Sequence, residues 1–501
     1  MRVFLAVHLP KLPLEVFQPK WSYEAPHKRS DESTHEPSHG SAVLEKDRVM
    51  IRNRAAHAVG VRLGMKRAGV LTLSPETTLY ERDIAREITV QREVGMALMR
   101  FTPDVALLDE ATVIVEVGAS LRLFGGLLSL CRQARTLLET FGVTARISAA
   151  PTGQGAWLLA KHGNKRVLQV ASLERVLLPL SMLAVPEIRP FADWFSGLGC
   201  ETIADVRRLP RAGLQRRCGE HLLDSLDRAF GMAPELFDWL ELPPVFSARI
   251  ELPDRLEQTD GAMFAAHRLI VQLCGWLCAK QLAVSAMTLS FEHERGRQAI
   301  PPTLIEIALG EPAWREDHLL RLIKERLHRA ELPAPAIALR LDAVKVEAAE
   351  PATDNLFPEP GGTPADHARL LELLIARLGA ENVLRPAPSA DYRPEIANRW
   401  VPVGAAEKKI ALLEGLPRPT WMLETPVRLL MRQNRPFYGS PLRRVSPGER
   451  IEAGWFDGRL VTRDYFVAQA DDRSCYWIYR ERVSSREAEA EQRWFLHGLF
   501  G

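Results

Sequence analysis

Apolar residues in the first 150 positions follow the periods of alternating strands and helices. Val3–Val7 is a continuous apolar run typical of a buried strand, and two further strands, Val105–Leu108 and Thr112–Val117, flank a turn at Asp109-Glu110. The same patterns predict three helices and a fourth strand, at Arg54–Val59, Asp83–Met99, Leu127–Thr140 and Ala145–Ala149. Strand, helix, strand, strand, helix, strand is the outline of a split βαβ fold.

The rest of the chain divides by composition. Residues 188–244 predict short helices joined by glycine turns, and residues 245–346 predict two helices against a four-stranded sheet. Residues 347–364 are rich in proline, glycine and acid and predict a linker, whereas the polar segment Trp21–Asp47 predicts a flexible excursion. Residues 365–501 begin with a helix and continue as an aromatic-rich, mostly β module with a closing helix. The predicted fold class is multidomain α+β.

Composition narrows the class of protein. At 501 residues the chain is long enough for about three or four domains, and 46% hydrophobic with 26% charged residues is typical of a folded soluble protein. The net charge of +2 does not by itself indicate a nucleic-acid binder. The six cysteines form no CxxC pair and no zinc-type Cys/His group, so we expect no metal and no cofactor. No signal peptide or membrane-spanning run is evident, which predicts a cytoplasmic protein without a membrane partner.

Four motifs occur in the order and spacing found in one protein family. They are GVRLGM at 60–65, VEVGASLRLFGG at 115–126, ARISAAPTGQGAWLLAKHG at 145–163 and LGCETIADVRRLP at 198–210. Together they resemble the Y-family (DinB/UmuC-like) translesion DNA polymerases, over residues 1–346. The resemblance implies a palm with fingers at 1–187, a helix-hairpin-helix thumb at 188–244 and a little finger at 245–346.

The carboxylates that such a polymerase needs are not where the resemblance would place them. Two-metal nucleotidyl transfer uses carboxylates from separate palm strands to hold two magnesium ions about 4 Å apart. His8 and Pro10 stand in the family's first, Asp-x-Asp-like element, and imidazole is a poor magnesium ligand. Asp109 and Glu110 lie one residue out of register with the second acidic pair, and such a slip turns side chains to the opposite face of a strand. We interpret them as turn residues and predict no metal site.

Positions that would contact the nucleotide have changed as well. Where the family has a Tyr and an Arg in the fingers, this chain has Arg54 and His57. The positions of the family's aromatic sugar gate hold Leu12 and Pro13. Thr152 and Gly153 stand where the resemblance would place a palm lysine. Phosphoryl transfer depends mostly on positioning and charge stabilisation. The resemblance therefore implies a polymerase homologue that does not catalyse.

The thumb-like segment keeps features that suit a DNA backbone. Helix-hairpin-helix turns present backbone N–H groups to phosphates without reading sequence. The candidate DNA-binding residues are Gly197, Gly199, Arg207, Arg208 and Arg211, with Arg216 and Arg217 close by in sequence. A solvated basic face is the alternative interpretation of these arginines.

The linker contains a short candidate docking motif. Thr353, Asp354, Asn355, Leu356 and Phe357 resemble the pentapeptide that binds the bacterial sliding clamp, with Thr353 in place of the usual glutamine. In so polar a segment Leu356 and Phe357 have no core to join, which favours their burial in a partner's pocket.

The tail resembles that of the inactive, ImuB-type members of the family. RPTWMLETPVRLL, ERIEAGWFDGRLVTRDYFVA and WFLHGLFG carry this resemblance. Such mutasome subunits imply four partners: damaged or primed DNA, the sliding clamp, a RecA-like protein and an error-prone C-family replicative polymerase. We expect a non-catalytic scaffold of the SOS response, with 365–501 as its partner-interaction region. A small β module that uses its aromatic residues as core is the structural alternative for this tail.

Two other functions stay open. The first is a divergent but active translesion DNA polymerase that uses Asp109, Glu110 and Glu116. The second is an interaction protein that binds no nucleic acid, which salt-dependent binding to primed DNA would exclude.

Overall fold

The computed structural model describes residues 2–19, 39–294, 300–349, 364–405, 416–482 and 493–500. The chain forms two compact units, an N-terminal unit (Met1–Leu373) and a C-terminal unit (Leu374–Gly501). The candidate clamp motif at 353–357 lies outside the described residues, as does most of the expected excursion. No helix within the described ranges has the length and apolarity needed to cross a membrane.

The N-terminal unit opens with two sheets and seven helices in its first 187 residues, counted over the described positions. In chain order these elements are β1 (Phe4–His8), α1 (Leu12–Glu15), β2 (Ser41–Glu45), β3 (Arg48–Arg52), α2 (Arg54–Ala58), α3 (Arg67–Leu73), β4 (Thr78–Glu81), α4 (Ile84–Leu98), β5 (Val105–Leu108), β6 (Thr112–Glu116), α5 (Leu127–Glu139), β7 (Arg146–Ala150), α6 (Gly153–His162) and α7 (Val170–Leu177). An antiparallel sheet has the order β5-β6-β1-β7, and a smaller sheet has the order β3-β2-β4. The flexible excursion predicted for Trp21–Asp47 is wrong for Ser41–Glu45, because these residues form β2 and four of the five are buried.

Strand β1 lies inside the four-stranded sheet and is buried on both faces, which accounts for its unbroken apolar sequence. Leu5 and Val7 join one core cluster, and Phe4 and Ala6 join another that includes the apolar residues of α6. Since side chains alternate along a strand, His8 shares a face with Phe4 and Ala6. The end of β1 therefore presents His8 towards α6.

A set of short helices follows. After 3-10 helices at Met182–Ala184 and Pro186–Phe191 come α8 (Ala192–Gly197), α9 (Ile203–Arg208), α10 (Arg211–Cys218) and α11 (Glu220–Ala229). Apolar residues of these helices join the same core as α6. The short-helix pattern predicted for this region is present.

The next segment, 233–245, is called the strap below because it runs across the four-stranded sheet. The N–H of Leu240 donates to the carbonyl of Val105 (2.7 Å), and Trp239 forms an isolated bridge with Ala106. The ring of Phe237 lies 5.4 Å from that of Phe4. These contacts fix the strap on the edge and face of the sheet.

An α/β region completes most of the N-terminal unit. Its elements are β8 (Ser247–Leu256), a 3-10 helix at Thr259–Ala262, α12 (Met263–Lys280), β9 (Leu282–His293), β10 (Thr303–Ala313), α13 (Glu316–Leu327) and β11 (Ala336–Ala348). The four strands pair in the order β10-β9-β11-β8, so the predicted four-stranded sheet is present. Helix α12 packs on α4, where a Cβ built on Gly275 would lie 2.0 Å from the Met96 carbonyl oxygen, and Arg268 of α12 pairs with Glu93 of α4.

The last 138 residues are rich in strands. The elements are α14 (Pro364–Leu378), a 3-10 helix at Ala380–Asn382, β12 (Leu384–Pro388), β13 (Asn398–Pro402), β14 (Trp421–Arg428), β15 (Leu430–Arg432), β16 (Arg435–Tyr438), β17 (Ser440–Pro441), β18 (Arg443–Arg444), β19 (Glu449–Ala453), β20 (Val461–Gln469), β21 (Cys475–Glu481) and β22 (Trp494–Leu499). The main sheet has the order β14-β22-β21-β20-β18, with β19 also on β20. The expected closing helix is wrong for 494–499, because these residues form β22 between β14 and β21.

The aromatic residues of the C-terminal unit divide into core and surface. Tyr465, Trp477 and Trp494 are buried, whereas Trp455 and Phe456 are 71% and 65% exposed. The interpretation of this tail as a β module that uses its aromatic residues as core therefore holds for some of these residues but not for all. The fold class, multidomain α+β with a sheet-rich C-terminal region, is confirmed.

Candidate functional site

Glu110 lies at the turn between β5 and β6, and two basic side chains hold its carboxylate. Lys161 on α6 and Arg189 both donate to it. The Glu110 side chain is 31% exposed and that of Lys161 only 12%. Burial by itself would raise the pKa of Glu110, but the hydrogen bonds from Arg189 and Lys161 outweigh it and lower the pKa. The carboxylate therefore stays ionised and is neutralised by residues of the same chain.

His8 stands beside this ion cluster at the end of β1. Its Nδ1 lies 3.0 Å from the Thr112 hydroxyl, and Thr112 is its partner across β1 and β6. Burial, with the charges of Lys161 and Arg146, lowers the pKa of His8 to about 4. His8 is therefore neutral near pH 7 and adds no negative charge to the site.

The two other carboxylates considered for catalysis do not complete the cluster. The Oε1 of Glu116 accepts the backbone N–H groups of Val3 (3.2 Å) and Gly118 (3.1 Å). Glu116 is paired with Phe4, four residues from His8, which corresponds to about 13 Å of strand. Asp109 is exposed in the turn. The prediction that Asp109 and Glu110 are turn residues is thus confirmed.

The residues present do not fit a pair of magnesium ions. Magnesium requires several oxygen ligands in octahedral geometry, and catalysis by two ions requires carboxylates from both strands. Here His8 supplies nitrogen, and Glu110 is already bound by two cations. Over the described ranges, no three His, Cys, Asp or Glu residues are grouped so that they could hold a metal ion.

A cleft of about 570 Å³ adjoins the end of β1 and brings together several of the predicted nucleotide-contact positions. Of these positions, Pro13, Arg54 and His57 line it, beside Pro10 of the former metal-binding element, whereas Leu12 is fully buried in the core beneath. The remaining lining side chains are Lys11, Met50, Ile51, Arg52, Asn53 and Leu63. The cleft is therefore basic, and the sugar-gate positions are an apolar core residue and a proline.

The N-terminus of α6, where a palm lysine was expected nearby, is occupied by a carboxylate from the strap. Glu235 accepts the N–H groups of Gly153 (2.8 Å) and Gln154 (2.6 Å), and Thr152 caps the helix. Burial raises the pKa of Glu235, despite these N–H donors. Because a helix N-terminus is a ready site for phosphate, Glu235 occupies the place an anion would take. Gly153 is required here, since its Cβ would lie 2.4 Å from the Phe237 ring.

The predicted thumb residues fall into two groups. Arg207 pairs with Glu174 (2.8 Å) and lies over the Phe230 ring at 3.9 Å, and Arg211 forms a bidentate pair with Asp227. Arg208 is different, because its side chain is 80% exposed and its closest carboxylate contact is 3.5 Å. Arg216 is also exposed on α10 and makes no ion pair among the described residues.

Two backbone donors at the turn around Gly197 and Gly199 are used within the fold. The N–H groups of Leu198 and Gly199 donate to carbonyls of α8, and Thr202 with Asp205 forms a capping box at the start of α9. DNA binding by Gly197, Gly199, Arg207, Arg208 and Arg211 remains a prediction, and the geometry favours Arg208 among them.

Sequence reasoning missed Lys161, Arg189 and Glu235. Lys161 gave a usable signal, because it is the single charged residue in the otherwise uncharged run GQGAWLLAK. Arg189 and Glu235 gave no signal, because their partners are distant in sequence. Arg189 contacts Glu110, 79 positions away, and Glu235 contacts Gly153, 82 positions away.

Comparison with known proteins extends these observations. Residues 33–161 match the impB/mucB/samB family. The chain is 25% identical to Protein ImuB of Caulobacter vibrioides strain NA1000 over 469 residues, which cover 88% of this chain and 100% of that protein. It is 26% identical to DNA polymerase IV of Shewanella sp. strain ANA-3 over 201 residues, covering 38% of this chain and 55% of that polymerase. Among solved structures, the Dbh ternary complex covers 68% of this chain and 98% of its own, at 14% identity and a TM-score of 0.37.

Proposed function

We propose that this chain, an ImuB-type homologue of the Y-family DNA polymerases, is a non-catalytic scaffold in translesion DNA synthesis. The observation that carries the proposal is the pairing of Glu110 with Lys161 and Arg189 beside a neutral His8. A magnesium ion at Glu110 would have to displace two cations, and both would remain close enough to repel it. The site is organised as an internal ion cluster and not as a metal site.

The scaffold would join several partners without doing the synthesis itself. Exposed thumb arginines would contact the phosphates of primed or damaged DNA. The linker pentapeptide at 353–357 would bind the sliding clamp, and residues 365–501 would bind an error-prone C-family polymerase and a RecA-like protein. In bacteria such a scaffold would act in the cytoplasm during the SOS response. The partner assignments rest on the sequence resemblance and on the similarity to ImuB.

A divergent active polymerase is the second candidate, and the geometry gives it little support. It would need Asp109, Glu110 and Glu116 to converge on metal ions. Glu116 instead binds backbone N–H groups at the far end of its strand, and Glu110 is bound by basic side chains. The similarity to DNA polymerase IV covers only 38% of the chain.

Primer extension distinguishes these two functions. The full-length chain, incubated with primed template, all four deoxynucleotides and magnesium or manganese, is expected to add no nucleotide, because among the described residues no carboxylate pair at the end of β1 is free to hold the metal ions. The Asp109→Ala variant serves as the control for contaminating polymerase. Templated extension by the parent chain that Asp109→Ala abolishes would overturn the proposal.

DNA binding by the thumb is expected to depend on Arg208 and Arg216. The double variant R208Q/R216Q should weaken binding to primed duplex similarly for all sequences and reduce the salt slope by about 1.8, since each phosphate contact contributes about 0.9. The matched control is R132Q/R135Q, which removes two exposed arginines of α5 that make no ion pair in the described structure. Fluorescence anisotropy over a salt series gives both quantities. Equal losses in the two double variants would assign the thumb arginines to a solvated basic face.

A further inference from the structure

The C-terminal unit, which the proposed function assigns to protein partners as a whole, carries an arginine-rich β-ribbon. Strands β15 and β16 form a hairpin, and β17 pairs with β16. Between Thr425 and Gly448 the sequence has five arginines and no aspartate or glutamate. Four of them, Arg432, Arg435, Arg443 and Arg444, are exposed and make no ion pair among the residues that the structure describes.

Two of these arginines face each other at the tip of the hairpin. Arg432 and Arg435 are direct cross-strand partners on either side of the turn at Gln433 and Asn434. Like charges directly opposite in an antiparallel pair destabilise it. A bound anion between the two guanidinium groups would remove that repulsion, and planar guanidinium groups bind phosphate in two-point fashion.

The same face of the ribbon also carries an exposed leucine and a half-buried aromatic ring. Leu430 and Phe437 are cross-strand partners and alternate with the arginines, so all four side chains share one face. The Arg432 guanidinium lies 4.2 Å from the Phe437 ring centroid, and Leu430 is 65% exposed. Arginine and aromatic side chains together on an exposed face are the arrangement that binds unpaired bases and their phosphates.

The ribbon is held firmly at its base, so the arginine face is a fixed part of the unit. Leu429 and Leu442 are buried in the core below it, and the Leu429 N–H donates to the Trp494 carbonyl (2.8 Å). Arg443 reaches Gln469, and Arg444 lies over the Phe466 ring at 5.1 Å. The two arginines of β18 thus extend the positive surface from the hairpin towards the main sheet.

From this geometry we propose that the β15–β16 ribbon, with Arg443 and Arg444, binds single-stranded nucleic acid. Charge complementarity selects a polyanion, because four exposed arginines, which form no ion pair within the described part of the chain, lie within thirteen positions, 432–444, that include no carboxylate. The exposed Leu430 and the Phe437 ring select a strand with unpaired bases, since a duplex offers phosphates but buries its base faces. This surface lies in the C-terminal unit, so the proposal does not depend on the thumb.

Titration of the full-length chain into a labelled short oligothymidylate tests the proposal. The R432Q/R435Q variant should bind the single strand about 10-fold more weakly, with a salt slope smaller by about 1.4, since each phosphate contact on a single strand contributes about 0.7. Phe437→Leu keeps the charges and should lose about 5-fold in affinity, the weaker end of stacking by one base, without changing the salt slope. Binding to a duplex of the same length should change less in both variants.

The matched control is R399Q/R473Q, which removes two exposed arginines of the same unit that form no ion pair in the described structure. It should bind the oligothymidylate like the parent chain. An equal loss of affinity in this control would show that the effect reflects net charge alone. An equal loss of affinity for duplex would show that it reflects attraction to phosphates alone. Either outcome would overturn the proposal. Unchanged affinity in R432Q/R435Q would also overturn it and would assign the ribbon to an acidic protein partner.

Discussion

Alanine at Gly275 is expected to lower the free energy of unfolding of the N-terminal unit by about 3 kcal/mol, the upper end of the usual cost of overpacking. A Cβ at this position would lie 2.0 Å from the Met96 carbonyl oxygen and 3.0 Å from Ala97 Cα. Both atoms belong to the backbone of α4, so no side-chain rotation relieves the clash. The two helices must move apart, which would also strain the ion pair between the buried Arg268 and the partly buried Glu93.

Gly213 provides the control for this substitution. It lies in α10, and a Cβ built there meets no atom within 4 Å. Gly213→Ala should be neutral or stabilise by up to about 1 kcal/mol, because alanine is the better helix former. Denaturant unfolding followed by circular dichroism measures both variants. A Gly275→Ala protein as stable as Gly213→Ala would show that the contact between α4 and α12 is not tight.

The double variant L356A/F357A is expected to lose binding to the sliding clamp, which is the second large effect that we predict. Burial of two such side chains contributes on the order of 3–5 kcal/mol before ordering costs, and a linker loses part of this to entropy. The contact would then be micromolar, and its simultaneous use with DNA would strengthen it. Removing both side chains should abolish binding to the sliding clamp in calorimetric titration and abolish damage-induced mutagenesis in cells.

The melting temperature of L356A/F357A should equal that of the parent chain, because the motif lies in a polar, proline-rich segment. The matched control is L236A/V344A, which shortens two side chains that are 94% and 66% exposed. That control should bind the clamp normally. Normal binding by L356A/F357A would make the motif a chance match, and a marked drop in its melting temperature would place the pair in a core.

The sequence was sufficient for the elements of the central sheet because each has a local signal. Two apolar runs around Asp109-Glu110 predict a hairpin, and the structure has it at Leu108 and Thr112. The strand at 41–45 was missed because four buried residues next to a long polar stretch give too short a pattern. The last strand was taken for a helix, since periodicity does not separate short apolar runs of the two kinds.

For the candidate site, the sequence predicted which catalytic residues are replaced but not which residues contact Glu110. The identity of His8 and the displaced position of Glu110 follow from reading the motifs, and on them rests the prediction that the chain does not catalyse. The partners of Glu110 do not, because Lys161 and Arg189 come from distant elements whose packing decides which cation reaches the turn. The same holds in the thumb, where Glu174 and Asp227 engage two of the arginines expected to bind DNA.

The ion cluster around Glu110 also limits what a single substitution at this site could achieve. Aspartate in place of His8 would add a carboxylate beside Lys161, and the two would pair with each other before binding an ion from solution. Loss of Lys161 alone would remove a partner from Glu110 without supplying a second metal ligand, and it would leave the partly buried carboxylate with Arg189 alone. Neither of these two single substitutions therefore supplies two carboxylates that are free to bind a metal ion. In such a lineage, the neutralised centre would persist unless both positions changed together.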